Sequence, residues 1–313
     1  MKNNEIKYSF GAIPSPKDSR DYQLVDLIPS AASPAALPNE YVNPLVKDIE
    51  ILDQGSSSTC VACSLSYLRY LMEYGQSNNR KYFSPSYIYG NRERFGYMGE
   101  GMYPRDALSQ LKKCGVCFYE DFPGFYDVGT SVVTYNQKKS ELDPKAYPFR
   151  VSSYYKVNGV TEIKNAIYKL GGVTGNFPVY ECLYYPEDGG IVNYNEDKPG
   201  QIMGYHEMTI VGWKEDCWVV LNSWGKQYGD NGFCYVPFNY PMVETWATVD
   251  EVMEVIYKMA KFRDTEGHWA EESIDKAADK GVVNGVGDDM FKPDEFVTRA
   301  QLCAILDRLN LLN

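Results

Sequence analysis

The chain has 313 residues and a mass of 35.6 kDa, which suits one large domain and one smaller one at about 150 residues per domain. Its formal net charge of −11 argues against nucleic acid as a partner, because phosphate binding needs a basic surface. No apolar run approaches the roughly 20 residues that span a bilayer, and the first residues lack a secretory signal. The sequence therefore predicts a soluble, folded protein without a visible export signal.

The eight cysteines are expected to be free thiols, because nothing in the sequence indicates an oxidising destination. Two pairs, Cys60/Cys63 and Cys114/Cys117, have a spacing that zinc ligands often have. The long gap between the pairs argues against a shared zinc site. We expect no metal and no cofactor.

Turn-rich and helical patterns fill the first half of the chain. Residues 1–36 are rich in Pro, Ser and Ala and are typical of an irregular leader, or a short pro-like segment, lying on or hanging from the core. Apolar residues at helical spacing predict a helix that begins at Cys60 and ends at Gly75. A second helix is predicted around 107–111, ending near Gly115.

Short β-rich segments follow in the second half. Strands are predicted at Glu207–Trp213, Trp218–Leu221 and Phe233–Pro237, each bounded by Gly, Asn or Asp. Helices first and strands later are typical of an α+β domain with two segregated lobes. We place this domain at residues 37–258.

The last residues, 262–313, form a separate helical module by pattern. A helix is predicted at Ser273–Lys280, closed by Gly281. Thr298 and Gln301 have the spacing of a capping box, which opens a second helix with an apolar stripe. The stripe consists of Leu302, Ile305, Leu306 and Leu309.

Four residues carry candidate chemistry. The chain contains only two histidines, and one of them, His206, precedes Asn222 by sixteen residues. Cys60 opens a predicted helix, where the helix dipole and a nearby imidazolium would lower the pKa of its thiol. A Cys–His pair forms a thiolate nucleophile. Asn222 can orient the imidazole, and the amide of Gln54 can donate to a developing oxyanion.

This arrangement resembles the papain family of cysteine peptidases over about residues 37–240. The motifs that carry the resemblance are Gln54-Gly55 with Cys60 six residues after the glutamine, Gly204-Tyr205-His206 running into Val211-Gly212-Trp213, and Asn222-Ser223-Trp224-Gly225 followed by Tyr228-Gly229 and Gly232-Phe233. The resemblance implies a two-lobe α+β fold, with a helical lobe, a β-barrel-like lobe and a cleft between them.

The same resemblance implies the roles of individual residues. Cys60 would be the nucleophile, His206 the acid and base, and Asn222 the residue that orients the imidazole. Gln54, with the Cys60 amide, would form the oxyanion hole. Trp224 would shield the hydrogen bond between His206 and Asn222.

Three features depart from the family pattern. Cys63 is a competing nucleophile, but it lies nine residues after Gln54 and a turn further into the helix. Gly99-Glu100-Gly101 replaces the glycine-rich edge that pairs with substrate backbone. Glu207 stands where the family usually has a small residue lining the second substrate subsite. It would favour a basic or polar substrate side chain there, or else be an exposed glutamate in a local salt bridge.

The leader leaves two alternatives open. Residues 1–36 are too few for the long inhibitory pro-region of secreted family members. Either the leader would cross the cleft and be removed by proteolytic cleavage, or the enzyme would be active as synthesised.

The tail resembles an S-layer homology module over 262–313. Its motif residues are Phe262, Asp264, Gly267-His268-Trp269-Ala270, Gly285, Asp288, Phe291, Pro293 and Val297-Thr298-Arg299-Ala300-Gln301. The resemblance implies binding of cell-wall polysaccharide, with Arg299 as the candidate contact to an anionic sugar. A solvated Arg299 without this role is the alternative. A single copy implies weak binding, a self-assembled homotrimer or a structural role.

Three functions fit these patterns. The first is a cysteine endopeptidase of a bacterium or phage, tethered to a bacterial surface. The second is a peptidoglycan cross-link hydrolase with the same triad, and the third a catalytically idle wall-binding protein. The tail favours the cell wall, whereas the missing signal favours the cytosol, so localisation stays open. A phage-borne or lysis-released protein would reconcile the two.

Overall fold

The structure is a computed structural model, and it describes residues 8–28, 31, 37–92, 99–125, 127–250, 262–265, 267–287, 290–309 and 311–312. The predicted boundary between the two domains, near residues 258–262, falls largely outside the described residues, as does Asp288 of the tail motif.

Helices dominate the first half of the chain, as predicted. In chain order they are α1 (Leu24–Leu27), α2 (Cys60–Ser77), α3 (Pro85–Gly90), α4 (Pro104–Cys114), α5 (Val128–Ala146), α6 (Gly159–Leu170) and α7 (Glu181–Tyr184). Helix α4 has local signals at both ends: Pro104 opens its first turn, and Gly115 follows it at φ 73°. The predicted end near Gly115 is confirmed.

The predicted end of α2 at Gly75 is wrong. The helix runs past Gly75 to Ser77, and Asn78 ends it in the left-handed region at φ 56°, donating its N–H to the Tyr74 carbonyl. Asn tolerates this conformation better than most side chains do. The helix can accommodate Gly75, because glycine weakens a helix by only about 1 kcal/mol relative to alanine.

One antiparallel sheet occupies the second half. Its strands are β1 (Tyr41–Val42), β2 (Ser153–Lys156), β3 (Val173–Val179), β4 (Gly204–Lys214), β5 (Cys217–Leu221), β6 (Phe233–Pro237) and β7 (Glu244–Val249). The order across the sheet is β2-β7-β3-β4-β5-β6, with β1 paired to β4. The three strands predicted from the sequence are β4, β5 and β6, so those predictions are confirmed.

The two faces of the sheet cover different cores. Val211 of β4 packs into the cluster that holds α2, α3 and α4. Met208 and Ile210, which point the other way along the same strand, pack with α6. Strand alternation thus divides the domain into a helical lobe and a sheet lobe, with α2 lying against β4 where the lobes meet.

The tail contains two helices, α8 (Glu271–Asp279) and α9 (Arg299–Arg308). The predicted capping box is confirmed: Gln301 donates its N–H to the Thr298 hydroxyl, and Thr298 donates its N–H to the Gln301 side chain. Two residues of the predicted apolar stripe, Leu302 and Leu309, are 50% and 45% exposed, whereas Ile305 and Leu306 are half-buried. This face of α9 is therefore only partly covered by the described residues.

No helix in the described ranges combines the length and the apolar character that crossing a bilayer requires. All eight cysteines have free thiols.

A buried ion-pair network anchors α2. Arg69 is 4% exposed and lies 3.0 Å from Glu73 and 3.5 Å from Asp250, which follows the last strand. We expect Arg69→Ala to lower the free energy of unfolding by about 3 kcal/mol, because removing one partner of a buried ion pair is strongly destabilising. Denaturant unfolding would measure this change.

A matched control is Lys81→Ala, which breaks an exposed pair with Glu120 at 2.5 Å. Exposed pairs contribute at most about 1 kcal/mol. Equal losses in the two variants would contradict the structural role given to Arg69.

Candidate active site

Cys60 is the first residue of α2 and is completely buried. Burial raises the pKa of its thiol to about 12, although the backbone N–H groups of Glu207, Gly11 and Val61 act in the opposite direction. The sequence predicted a lowered pKa from the helix dipole. That expectation is wrong for this closed state, because desolvation of a thiolate outweighs the dipole.

Cys63 lies one turn further along the helix and is also completely buried. Its Sγ lies 3.8 Å from the Thr59 hydroxyl, and burial raises the pKa of its thiol above the usual range. Only Cys60 occupies the helix terminus.

Two strands bring the other candidate residues together. His206 lies on β4, and Asn222 follows β5, whose last residue Leu221 pairs with Thr209. His206 Nε2 and Asn222 Oδ1 are 2.7 Å apart. The Trp224 ring stacks on the imidazole with centroids 4.2 Å apart. The Trp224 ring therefore covers one face of the imidazole, and its shielding role stays a prediction.

The other imidazole nitrogen of His206, Nδ1, is buried and has no hydrogen-bond partner among the described residues. Burial lowers the pKa of His206 to about 4, while the bond to Asn222 acts in the opposite direction. The imidazole is therefore neutral in this state at physiological pH, with one nitrogen oriented and one available.

Gln54 is held by its carbonyl oxygen. Ser223, next to Asn222, donates its hydroxyl to Gln54 Oε1 at 2.6 Å. The amide nitrogen therefore points away, and donates to the carbonyl oxygens of Ser57 at 2.6 Å and Ser9 at 3.3 Å. A carbonyl of the leader thus accepts a hydrogen bond from an N–H group that could otherwise donate to an oxyanion.

The leader runs through this site. Tyr8 stacks on Trp224 with centroids 4.7 Å apart and planes at 7°. Ala12, four residues later, donates its N–H to the Tyr205 carbonyl at 3.3 Å. Between them, Gly11 passes so close to the loop before α2 that a Cβ there would lie 2.1 Å from the Ser58 carbonyl oxygen. Only glycine fits this passage.

Next to the predicted substrate-pairing edge, Gly99-Glu100-Gly101, Met102 pairs with the backbone of the leader. Met102 accepts the N–H of Ile13 at 2.9 Å and donates its own N–H to Gly11 at 2.8 Å. Gly101 allows the close approach, since a Cβ on it would lie 2.4 Å from the Gly11 oxygen. Glu100 accepts from the Tyr89 hydroxyl, and Gly99 is exposed.

Ion pairs fix the leader beyond the cleft. Arg105 Nε donates to Asp21 Oδ1 at 2.7 Å, and Lys156 Nζ lies 3.7 Å from Asp21 Oδ2. Asp21 is thus held by cations from both lobes, one on α4 and one on β2.

Glu207 is 1% exposed, so the alternative of an exposed glutamate is wrong. Its Oε1 accepts from the Thr174 hydroxyl at 2.6 Å. Burial raises the pKa of its carboxyl, and the neighbouring Glu244 raises it further. Sequence reasoning missed Glu244 and Met102, because no local motif marks them and only strand pairing and the lobe interface place them here.

Arg299, the candidate wall-binding residue, is exposed in the first turn of α9. This position fits both the sugar-binding role and the solvated alternative.

Parts of this chain are similar to known protein families. A sequence model of the papain family cysteine proteases matches residues 50–246, and one of the S-layer homology domain matches residues 261–303. An uncharacterised peptidase C1-like protein of Acanthamoeba polyphaga mimivirus is 25% identical over 275 residues, covering 79% of this chain and 87% of its own. A cathepsin B-like cysteine proteinase of Caenorhabditis elegans is 37% identical over 89 residues, which span 26% of this chain and 23% of the nematode protein.

Solved structures share the fold. Xylellain, a cysteine protease from Xylella fastidiosa, has a TM-score of 0.65 at 22% identity, covering 78% of this chain and 97% of its own. Procathepsin B S9 from Trypanosoma congolense has a TM-score of 0.60 at 17% identity, covering 77% and 86%.

The close passage of Gly11 leads to a prediction about the accessibility of the thiol. We expect Gly11→Val to displace the leader and to increase the rate of Cys60 alkylation by iodoacetamide at pH 7 at least about tenfold, because an exposed thiol regains its usual pKa. Peptide mapping by mass spectrometry would measure the rate. Gly75→Val is the control, at an exposed position near the end of α2 where a Cβ would meet only the Leu45 side chain at 3.5 Å. Equal rates in Gly11→Val and wild type would contradict the barrier assigned to the leader.

Proposed function

We propose, from the premise that this chain belongs to the papain family of cysteine proteases, that it is an endopeptidase acting through Cys60, His206 and Asn222. The observation that carries the proposal is the 2.7 Å contact between His206 and Asn222 beneath Trp224, next to a helix that begins at Cys60. An imidazole oriented at one nitrogen and free at the other is suited to proton transfer.

Acylation begins with transfer of the Cys60 thiol proton to His206 Nδ1. The thiolate forms a bond to the substrate carbonyl carbon, and the electron pair moves to the oxygen. The Gln54 amide and the Cys60 N–H donate to that oxyanion. His206 then gives its proton to the leaving nitrogen as the C–N bond breaks, which leaves a thioester.

Deacylation repeats these steps with water. His206 takes a proton from water, and the oxygen forms a bond to the thioester carbon. The C–S bond breaks, the acid product leaves, and Cys60 recovers a proton. Asn222 keeps the imidazole in the same orientation during acylation and deacylation, because its side-chain oxygen accepts a hydrogen bond from Nε2.

The leader is an inhibitor in this proposal. Its Ser9 carbonyl accepts a hydrogen bond from the Gln54 amide. Tyr8 covers Trp224, and Gly11 packs closely against the loop that precedes Cys60. The Cys60 thiol and the His206 imidazole are both neutral while they are buried. Activity therefore requires the leader to leave the cleft. Self-cleavage is testable by the intact mass of wild type against Cys60→Ala, since only self-cleavage depends on the thiol.

Residues 262–313 would tether the enzyme to a bacterial surface. The S-layer homology match and the partly exposed apolar face of α9 support a module that binds cell-wall polysaccharide or assembles with its own copies. The division into a leader at 1–36, a peptidase at 37–258 and this module belongs to the same proposal.

A wall-hydrolase activity with the same residues is the second candidate, favoured by the S-layer homology match alone. A catalytically idle wall-binding protein is the third.

The nucleophile is tested by replacement. We expect Cys60→Ala to reduce casein hydrolysis by at least about 10⁴-fold, and Gln54→Ala to reduce kcat by about 10²- to 10³-fold through loss of an oxyanion donor. An epoxysuccinyl peptide should add one adduct, mapped to Cys60 by mass spectrometry, in the Gly11→Val background.

Cys63→Ala is the matched control and should keep most of the activity. An adduct on Cys63, or none on a folded protein, would overturn the assignment. Cleavage of purified cell wall without cleavage of casein would favour the wall-hydrolase activity, and inertness toward both would favour the idle protein.

The wall-binding role predicts that the full chain sediments with purified cell walls and that a chain ending at residue 258 does not. If Arg299 contacts an anionic sugar, Arg299→Ala should weaken sedimentation at least about fivefold, because a charged hydrogen bond is lost. Arg308→Ala, at the other end of α9, is the control. Equal sedimentation of the full and shortened chains would argue against tethering.

A further inference from the structure

Cys63 is a second thiol beside the nucleophile, and the proposed mechanism does not use it. Cys60 and Cys63 are the first and fourth residues of α2, so they are neighbours on the surface of its first turn. This turn is closed, because Cys63 donates its N–H to the Thr59 carbonyl at 2.9 Å. Both thiols are free and completely buried. The helix therefore begins with a pair of adjacent cysteines.

The Cys63 side chain points toward the start of the helix, where Cys60 lies. Its Sγ is 3.8 Å from the hydroxyl of Thr59, four residues earlier. The rotamers that helices favour direct a side chain over the residues three and four positions before it. A rotation about one bond therefore keeps the Cys63 sulfur over the turn that contains Cys60.

Polar groups surround the Cys63 sulfur, although a cysteine that only fills space needs none. Burial raises the pKa of the Cys63 thiol, and the Thr59 hydroxyl acts in the opposite direction. A negative charge on Cys60 raises this pKa further, and the Ser223 hydroxyl lowers it. The two sulfurs are thus close enough for the charge of one to act on the other. Nearby hydroxyl groups favour the thiolate, which is the form that attacks another sulfur.

Access gives the two thiols different roles. The leader covers the start of α2, where Gly11 packs against the loop before Cys60. When the leader leaves, the proposed mechanism requires Cys60 to meet the substrate from the cleft. Cys63 lies one turn further along the helix, within the core of the helical lobe. A dissolved oxidant therefore reaches Cys60 first, and Cys63 reacts through Cys60.

We propose that Cys60 and Cys63 form a reversible disulfide when the open enzyme meets a hydroperoxide, with Cys63 as the thiol that resolves the oxidised nucleophile. This inference rests on the proposed function, because it needs an open cleft with Cys60 as its reactive thiol. The disulfide inactivates the peptidase, and it protects Cys60 from irreversible oxidation to a sulfinic acid.

The oxidation takes two balanced steps. In the first, His206 takes the Cys60 proton, and the thiolate attacks an oxygen of hydrogen peroxide. The O–O bond breaks, which gives a sulfenic acid on Cys60 and, with the proton from His206, one water molecule. In the second, the Cys63 sulfur forms the S–S bond, the S–O bond breaks, and a second water leaves with the Cys63 proton. The two thiols lose two electrons and two protons, and the peroxide is reduced to water.

Helix geometry makes such a disulfide easy to reduce. Residues three positions apart in a helix have Cβ atoms about 5 to 6 Å apart. A disulfide needs a Cβ separation of about 3.5 to 4.5 Å, so the first turn of α2 must tighten by about 1 Å. Strained disulfides have higher reduction potentials and are the regulatory ones. We therefore expect a dithiol to restore the enzyme.

Peroxide treatment tests the inference on the full chain. The Gly11→Val variant, or Phe10→Ala if that variant does not fold, is treated with excess hydrogen peroxide, alkylated and digested with trypsin. We expect the peptide 48–69, which carries both cysteines, to escape alkylation and to lose two hydrogen atoms. Casein hydrolysis should fall at least about tenfold, and dithiothreitol should restore more than about half of it, because a disulfide is reducible and a sulfinic acid is not.

Removal of the resolving thiol separates a redox role from a structural one. Cys63→Ala, or Cys63→Ser if alanine prevents folding, should cleave casein before oxidation and lose this activity to peroxide. Dithiothreitol should then restore at least about threefold less activity than in the parent, with Cys60 found as the sulfinic acid.

Cys117→Ala is the matched control, because Cys117 is the fourth residue of the other cysteine pair and is also buried. Gly115, at φ 73°, ends helix α4 between the two cysteines of that pair. They therefore share no helical turn, and this variant should recover as the parent does.

The two proposals fail in different ways. Casein cleavage by the reduced enzyme, with no link between Cys60 and Cys63 and with equal recovery in the Cys63 variant, would overturn the redox pair and leave the peptidase intact. A Cys60–Cys63 disulfide in a chain that cleaves neither casein nor cell wall when reduced would remove the proposed function and leave the redox pair.

Discussion

The seating of helix α2 on the sheet is the constraint on which the site depends. The Ser64 hydroxyl, one turn along the helix from Cys60, lies 2.6 Å from the Thr174 hydroxyl and 2.8 Å from that of Thr209. Thr174 also donates to Glu207. These buried hydrogen bonds between hydroxyl groups hold the helix in one register against β3 and β4. That register places Cys60 beside the residue that follows His206.

Desolvation dominates the chemistry of the closed state. A helix terminus and nearby N–H groups favour a thiolate at Cys60, yet burial raises the pKa of the thiol to about 12 and lowers that of His206 to about 4. Both shifts oppose an ion pair between them. The same groups in an open, hydrated cleft are free of this penalty. The leader thus acts on the site through solvent exclusion as well as by occupying space.

Local signals predicted local features well. The order of helices and strands, the position of Cys60 at a helix start, the end of α4 and the capping box of α9 all depend on residues a few positions apart. Signals that compete with packing were less reliable, as the continuation of α2 through Gly75 shows. Glu207 was expected to be exposed or to line a subsite, and only the lobe interface and the leader decide that it is buried.

The amino-acid sequence by itself determined the family, the two-lobe fold class and the candidate residues, because spacing around a thiol, an imidazole and an amide is written in short motifs. Tertiary structure alone decided the path of the leader, the pairing role of Met102 and the meeting of Glu207, Asn176 and Glu244. These features join segments far apart in the chain. Their contacts depend on strand register and on how the lobes close, and neither has a local signature.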